Sequence, residues 1–242
     1  MEQIEKLRKI IDTSSNIVFF GGAGVSTESK IPDFRSDTGL YKQKKYPYNA
    51  ETMLSRTFFD YHKKEFYDFY LHEMIYPNAL PNLAHKALAT LEARGKLQAI
   101  ITQNIDGLHQ EAGSENVIEL HGSVKRNYCM KCGHFYNELD IIKYNGICPI
   151  CNGYIKPDVV LYEEPLNEDA IEKAIYYIQN AEVLIIGGTS LSVYPAAGFI
   201  RYFKGKYLVI INKENTSFDQ YADVVITDPI GIVLNKVVLS NK

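Results

Sequence analysis

The sequence predicts an α/β protein: a parallel sheet covered by helices on both faces, with a helical insert and a small cysteine-bearing module. Two observations carry this. Short apolar runs that read as strands alternate along the chain with amphipathic stretches that read as helices. Most of the runs are apolar throughout, as strands are when both faces of their sheet are buried. The expected strands are residues 17–20, 98–102, 117–119, 183–186, 207–211 and 224–226. The expected helices are the N-terminal MEQIEKLRKIIDTSS, residues 82–94, 168–180 and 195–204, and a last one from Pro229 onward. This alternation is Rossmann-like.

Two segments interrupt it. Residues from about 52 to 76 read as helices, and a polar, Gly- and Cys-bearing stretch runs from about 125 to 156. Both read as inserts that pack beside the sheet. The chain thereby divides into a Rossmann-like domain (1–35, 82–123 and 157–242), a helical insert (36–81) and a zinc-binding module (124–156).

Bulk composition narrows the class. The chain has 242 residues, 46% hydrophobic and 23% charged, which is ordinary for a soluble globular protein. A net charge of -3 gives no electrostatic case for specific nucleic-acid binding. No apolar run approaches the roughly 20 residues that span a bilayer. The N-terminus reads as an amphipathic helix rather than an export signal, which points to the cytoplasm, where thiols stay reduced. Four cysteines there read as metal ligands rather than disulfides.

The first expected strand runs into Gly21-Gly22-Ala23-Gly24-Val25-Ser26-Thr27. Small residues let the backbone approach a pyrophosphate, and free amides at a helix start favour anions. A tight strand-to-helix turn would use the same residues. A dehydrogenase fingerprint also wants an acidic residue about 20 positions on. Here that region is Lys42-Gln43-Lys44-Lys45, and Pro32 cuts any long helix, so hydride transfer is disfavoured. Ile31-Pro32-Asp33-Phe34-Arg35-Ser36 is either a loop pinned by Pro32 or a lid over a cofactor, with Phe34 as wall and Arg35 as cation.

Thr102-Gln103-Asn104-Ile105-Asp106-Gly107-Leu108-His109 directly follows a strand, and ligands of open α/β sheets collect at strand carboxyl ends. A capping turn is its plainer reading. Leu120-His121-Gly122 puts a histidine at another such end, where it can take a proton near neutral pH; His85 and His109 have weaker claims, and His109 reads as structural. Cys129-x2-Cys132 and Cys148-x2-Cys151, fifteen residues apart, suit a tetrahedral zinc with four thiolates. Four sulfurs close the coordination shell, so the metal is structural. Lys156-Pro157-Asp158-Val159-Val160-Leu161-Tyr162 is either an ordinary strand or an edge that pairs with a peptide. Gly187-Gly188-Thr189-Ser190-Leu191 is a second Gly/Ser-rich strand end, and Asn212 ends the next strand similarly.

Six of these motifs in order, Gly-Ala-Gly-Val-Ser, Ile-Pro-Asp-Phe-Arg-Ser, Thr-Gln-Asn-Ile-Asp-Gly-Leu-His, His-Gly, the two CxxC pairs and Gly-Thr-Ser-Leu, resemble the sirtuin family over nearly the whole chain. The resemblance implies a Rossmann-type domain and a smaller zinc-bearing domain, with NAD and an acyl-lysine protein or peptide meeting between them. In this family the acyl oxygen attacks the anomeric carbon of the nicotinamide ribose, nicotinamide leaves, and the acyl group ends on ADP-ribose. By motif match His121 is the general base, Asn104 positions ribose and water, and Asp106 with Ile105 holds the nicotinamide carboxamide. Gly22, Ala23, Gly24, Ser26, Thr27, Phe34, Arg35 and Gln103 would line the cofactor, with Gly188, Thr189, Ser190 and Asn212 on its adenosine half. Val159, Val160 and Leu161 would pair with substrate by strand addition.

Family members that prefer succinyl or malonyl lysine carry Tyr and Arg three residues apart in the helical insert. The matching stretch here is Phe66-Tyr67-Asp68-Phe69-Tyr70, which keeps Tyr67 but has Tyr70 at the arginine position. The resemblance therefore implies acetyl or a longer apolar acyl over succinyl. In Tyr162-Glu163-Glu164 the first glutamate stands where many relatives have glycine, which bears on peptide preference. An ADP-ribosyltransferase or NADase on the same fold, a non-catalytic NAD binder and a zinc-ribbon nucleic-acid module are the alternatives. Acyl-dependent release of nicotinamide separates the first from a deacylase, intact Asn104, Asp106 and His121 argue against the second, and the mildly acidic chain argues against the third.

Overall fold

The apolar runs become a single parallel sheet. The computed structural model describes residues 2–36, 39–42 and 45–240; Gln43 and Lys44 of the basic run lie outside them. The chain begins with α1 (Glu2–Thr13) and β1 (Ile17–Gly21), followed by single 3-10 turns at Ala23–Val25 and Thr27–Ser29. Three helices form the insert: α2 (Ala50–Met53), α3 (Arg56–Tyr61) and α4 (Lys63–Glu73). Then come α5 (Leu83–Ala93), β2 (Leu97–Thr102), α6 (Leu108–Glu111), β3 (Val117–Glu119), β4 (Gly122–Cys129), β5 (Phe135–Tyr136), α7 (Glu138–Lys143) and β6 (Ile155–Val159). The rest is α8 (Glu168–Asn180), β7 (Val183–Gly187), a 3-10 segment Ala196–Tyr202, β8 (Tyr207–Ile211), β9 (Val224–Ile226) and α9 (Ile230–Leu234), which runs on into a π-helical turn. Residues 195–204, expected as an α-helix, wind more tightly; Gly198 with the aromatic and β-branched Phe199 and Ile200 favours an α-helix weakly.

Six parallel strands stand in the order β3-β2-β1-β7-β8-β9. The chain builds outward from β1 on one side, then returns to place β7 against the other side of β1. Strand order reverses there, and such a reversal opens a crevice at the carboxyl ends of the strands. Every residue of β1 and β7 is buried, because helices cover both faces. One face packs on α1, α5 and α9 through residues such as Leu7, Leu88 and Val233; the other packs on α8 and the 3-10 segment through Ile178, Ala197 and Ile200. Helix α5 starts cleanly because the Asn82 side chain accepts from the amides of Ala84 (2.8 Å) and His85 (3.4 Å), while His85 Nδ1 accepts from the Asn82 amide (3.2 Å).

The two inserts do not pack separately beside the sheet. They share a third core, in which Met53, Phe58, Phe59, Phe66 and Tyr70 of the helices meet Tyr136, Ile141, Cys148 and Ile155 of the cysteine module. A three-stranded antiparallel sheet, β5-β4-β6, forms its back. That sheet reaches from Gly122 to Val159, a little beyond both ends of the expected 124–156 module. Among the described residues no helix is long and apolar enough to cross a membrane.

Gly122 is the pivot between the two sheets. Its φ of +74° is left-handed, and a Cβ there would lie 2.0 Å from the carbonyl oxygen of Asp158 on the paired strand. Both facts exclude a side chain. Gly122→Ala is expected to cost about 2–4 kcal/mol of stability, measured by urea denaturation; an unchanged midpoint would show that β4 and β6 can separate there without penalty.

Candidate active site

The strand-end loops converge on one cleft of about 1000 Å3. It is lined by Ala23, Gly24, Ser26 and Thr27 after β1, by Gln103, Asn104, Ile105 and Asp106 after β2, and by His121 after β3. Gly188, Thr189 and Ser190 follow β7, and Asn212 follows β8. Phe34 and Arg35 reach in from the first connection, and Val159, Val160 and Leu161 form the opposite wall. Two of the expected site residues are not brought there. Gly22 lies beneath the floor, where a Cβ would come within 2.8 Å of Thr189 Cβ.

Tyr67 faces the third core, its hydroxyl donating to the Ile155 carbonyl at 2.8 Å. Tyr70, at the family's arginine position, is fully buried and stacked on Phe66. The parts of the insert that do line the cleft are Glu73 and Met74 at the end of α4 and Leu54 just after α2, with Ser36, Leu40, Tyr41 and Tyr76 outside these three helices. Helical phase accounts for the difference: on α4 the 67/70 stripe turns to the zinc module, and the helix end turns to the cleft.

At the His121 end of the cleft, His121 Nδ1 lies 2.9 Å from the carbonyl oxygen of Gln103. A carbonyl only accepts, so Nδ1 carries the proton and Nε2 keeps its lone pair. Burial lowers the imidazole pKa below its ordinary value, the Gln103 carbonyl opposing this in part. His121 is thus held neutral, with one nitrogen ready to accept a proton.

Beside it runs a short relay. Asn104 Nδ2 donates to Ser26 Oγ (3.0 Å), and Ser26 Oγ donates to Asp106 Oδ2 (2.6 Å). Asp106 Oδ1 accepts the Leu108 amide at 2.9 Å. Burial raises the Asp106 pKa, while the Ser26 hydroxyl, the Leu108 amide and the Lys125 charge oppose it. Lys125 itself bridges Glu111 (2.6 Å) and Glu138 (2.8 Å). Above the cleft, Asp33 Oδ1 accepts the amides of Arg35 (3.1 Å) and Ser36 (2.8 Å), and the Tyr41 amide returns to the Phe34 carbonyl at 2.9 Å. The Arg35 guanidinium lies over the Tyr41 ring at 5.3 Å, and the Tyr41 hydroxyl contacts that of Tyr162 on the far wall. The loop thereby reaches across the cleft.

On the far wall the amides are already used: Val160 donates to the His121 carbonyl (3.0 Å) and Leu161 to Glu164 Oε2 (2.9 Å). Strand addition along 159–161 would therefore engage carbonyls and side chains first. Sequence reasoning missed several lining residues. Asp228 follows β9 and lines the cleft, so the strand-end rule applied to the last strand finds it. Val193 and Tyr194 sit just past the Gly188–Ser190 turn. For Glu73 and Met74 no sequence signal exists.

The four cysteine sulfurs all lie within 4.8 Å of one another. Three of their separations are 3.4 Å (Cys129 to Cys151), 3.8 Å (Cys132 to Cys148) and 3.6 Å (Cys148 to Cys151). A tetrahedron with Zn–S bonds of about 2.3 Å has edges of roughly 3.8 Å, so the residues fit a structural zinc. Burial disfavours the Cys148 thiolate, but the Tyr136 hydroxyl, 3.0 Å away, and the amides of Ile150 and Cys151 outweigh it and bring its pKa down to about 6. Thiolate is the ligating form. Zinc bound by four thiolates would tie two knuckles of the chain together.

A parallel sheet with this strand order, a strand-end cleft and a closed tetrathiolate define a nucleotide-binding α/β protein with a zinc-stabilised second lobe. Comparison with known proteins narrows this. The model of the Sir2 family matches residues 22–195. An NAD-dependent protein deacetylase of Clostridium tetani is 59% identical, with 98% of each chain covered, and one of Clostridium perfringens is 58% identical over 98% of this chain and 99% of the relative. Among solved structures, Sir2 with a deacetylated p53 peptide and 3′-O-acetyl-ADP-ribose superposes with a TM-score of 0.88 at 39% identity, covering 97% of this chain and 96% of that one. Sir2 with a p53 peptide and NAD+ gives 0.83 at 39%, with the same coverage. The chain belongs to the Sir2, or sirtuin, family.

Cys148→Ser is expected to lose bound zinc and at least ~3 kcal/mol of stability, since a structural metal contributes directly to folding. Zinc-to-protein ratio and thermal unfolding measure both; full zinc occupancy with an unmoved Tm would contradict the closed site.

Proposed function

We propose that the protein is an NAD-dependent protein lysine deacetylase or deacylase of the cytoplasm, acting on acyl-lysine proteins or peptides, and that the cleft residues carry the reaction as follows. The observation that carries the reading is the neutral imidazole of His121, its proton fixed on Nδ1 and its Nε2 lone pair available at the strand-end cleft. When bound, NAD supplies an anomeric carbon from which nicotinamide departs, so that the acyl group passes to ADP-ribose. His121 takes a proton from a ribose hydroxyl at Nε2. Asn104 orients ribose and water, its amide nitrogen anchored on Ser26. Asp106 and Ile105 hold the carboxamide, and the relay through Ser26 fixes the Asp106 rotamer. Ala23, Gly24, Thr27 and Gln103 seat the pyrophosphate half, with Gly188, Thr189, Ser190 and Asn212 toward adenosine. Phe34 and Arg35 close over the site and exclude water, so fixed dipoles face the developing charge instead.

The acyl group lies toward Leu40, Leu54, Met74 and Val124, an apolar wall. Among the described residues lining the cleft the only lysine or arginine side chains are Arg35 and Lys213, and the insert contributes the carboxylate of Glu73, already paired with Lys45 and Tyr46. An uncharged acyl group is favoured over succinyl on these grounds rather than through Tyr67 and Tyr70.

Nicotinamide and acyl-ADP-ribose, followed by mass spectrometry, test the reading with NAD and matched acetyl, longer-acyl and succinyl peptides. Nicotinamide release that depends on an uncharged acyl peptide is the expected result. Release indifferent to every peptide would replace it with an NADase or ADP-ribosyltransferase. His121→Ala is expected to lower kcat about 10²- to 10⁴-fold with Tm nearly unchanged. A base acts only when neutral, and burial depresses this pKa. The acid limb of kcat/KM is therefore expected to lie below about pH 6.5, and a midpoint above 7 would assign it to another group.

A further inference from the structure

A second groove, of about 570 Å3, opens where the far wall of the cleft ends, and the chemistry above makes no use of it. Tyr48, Tyr61 and Tyr162 form its sides and are 45%, 81% and 39% exposed. Phe58 and His62 stack at 4.7 Å beneath Tyr48. Two carboxylates, Glu51 and Glu163, complete it, and no lysine or arginine is among the described residues that line it.

Glu163 is fixed in place. Its Oε2 accepts the amide (2.8 Å) and hydroxyl (2.7 Å) of Thr57, although its own φ of +76° is one that glycine adopts more readily. The chain thus holds a carboxylate at a position where a glycine would sit without strain. Tyr162 and Glu163 line both the groove and the cleft, so the two are continuous. The Tyr162 amide to Leu54 carbonyl bond (3.0 Å) and the Arg56 amide to Tyr162 carbonyl bond (2.9 Å) stitch this junction to the helical insert.

We infer that the groove is a specificity subsite for the cationic side chain of a lysine or arginine flanking the acyl-lysine. Aromatic faces attract cations, two carboxylates add to that attraction, and no lysine or arginine among the described lining residues opposes it. An acidic flank would meet both carboxylates, and an apolar one would desolvate them without compensation. A peptide laid along Val159–Leu161 leaves the cleft over Tyr162 and Glu163, which brings its next residues to this groove.

The inference rests on the deacylase reading, and its test distinguishes the two. Acetyl-lysine peptides that differ at a single flanking position, carrying Arg, Lys, Ala or Glu, are scanned on both sides of the acyl-lysine. At one position Arg or Lys is expected to exceed Glu by roughly three- to thirty-fold in kcat/KM, mostly through KM, with the ratio shrinking at high salt. Tyr61→Ala and Glu51→Gln are expected to bring that ratio toward one while leaving turnover of the alanine-flanked peptide unchanged. Equal turnover of the whole panel, or a basic preference that survives both substitutions, would overturn the subsite. No turnover of any peptide would overturn the deacylase reading, and the subsite with it.

Discussion

The cleft depends on one backbone contact, between Gly24 and Gly188. The Gly24 amide donates to the Gly188 carbonyl at 2.8 Å, and a Cβ on Gly24 would sit 2.8 Å from Gly188 Cα. Gly188 is itself left-handed, and a Cβ there would meet the Val25 amide nitrogen at 2.4 Å. Only glycine at both positions lets the loops after β1 and β7 close on each other, and β1 and β7 are the strands at which sheet order reverses. The remaining strand ends are registered on that floor. The Gln103 amide donates to the Gly21 carbonyl at 3.0 Å, and the Gln103 carbonyl accepts from His121. Two peptide groups thus tie the third strand end to the first.

The zinc module bears on the same cleft through packing. Because Cys148 and Ile155 share a core with Phe58, Phe66 and Tyr70, the two knuckles and the helical insert form one lobe. The apolar wall of Leu54 and Met74 belongs to that core as well. A metal with a closed coordination shell can therefore shape a site it never touches: loosening the knuckles unpacks helices whose far ends line the cleft.

Much of this was legible in the sequence, for reasons that differ by element. Strands β3, β8 and β9 and helix α8 were expected at the boundaries they have, since an apolar run or a capped amphipathic stretch is a local signal. The cysteine spacing was equally local. Most of the expected cleft residues were legible because they follow strands, and the parallel order puts those strand ends on one edge. Tyr67 and Gly22 illustrate what was not. Spacing along α4 does not reveal which face turns to the zinc module, and a glycine needed for loop-on-loop contact reads the same as one that cradles a phosphate. The single lobe made by the two inserts was also invisible, since their shared core joins segments that α5, β2, α6 and β3 separate in the chain.

Three histidines near the sheet show why position outweighs residue type. His85 and His109 are buried and in edge-to-face contact at 4.7 Å. Burial pushes the His85 pKa down to about 4 and that of His109 well below the ordinary value. Both stay neutral at working pH, and neither lines the cleft. Burial lowers the His121 pKa as well, but its side chain is only partly covered and lines the cleft. The Gln103 carbonyl then decides which nitrogen accepts. A neutral imidazole that faces the cleft with one free nitrogen needs burial to lose its proton, a carbonyl to fix its tautomer and an opening to the cleft; of these three histidines, only His121, just past a strand end, has all of them.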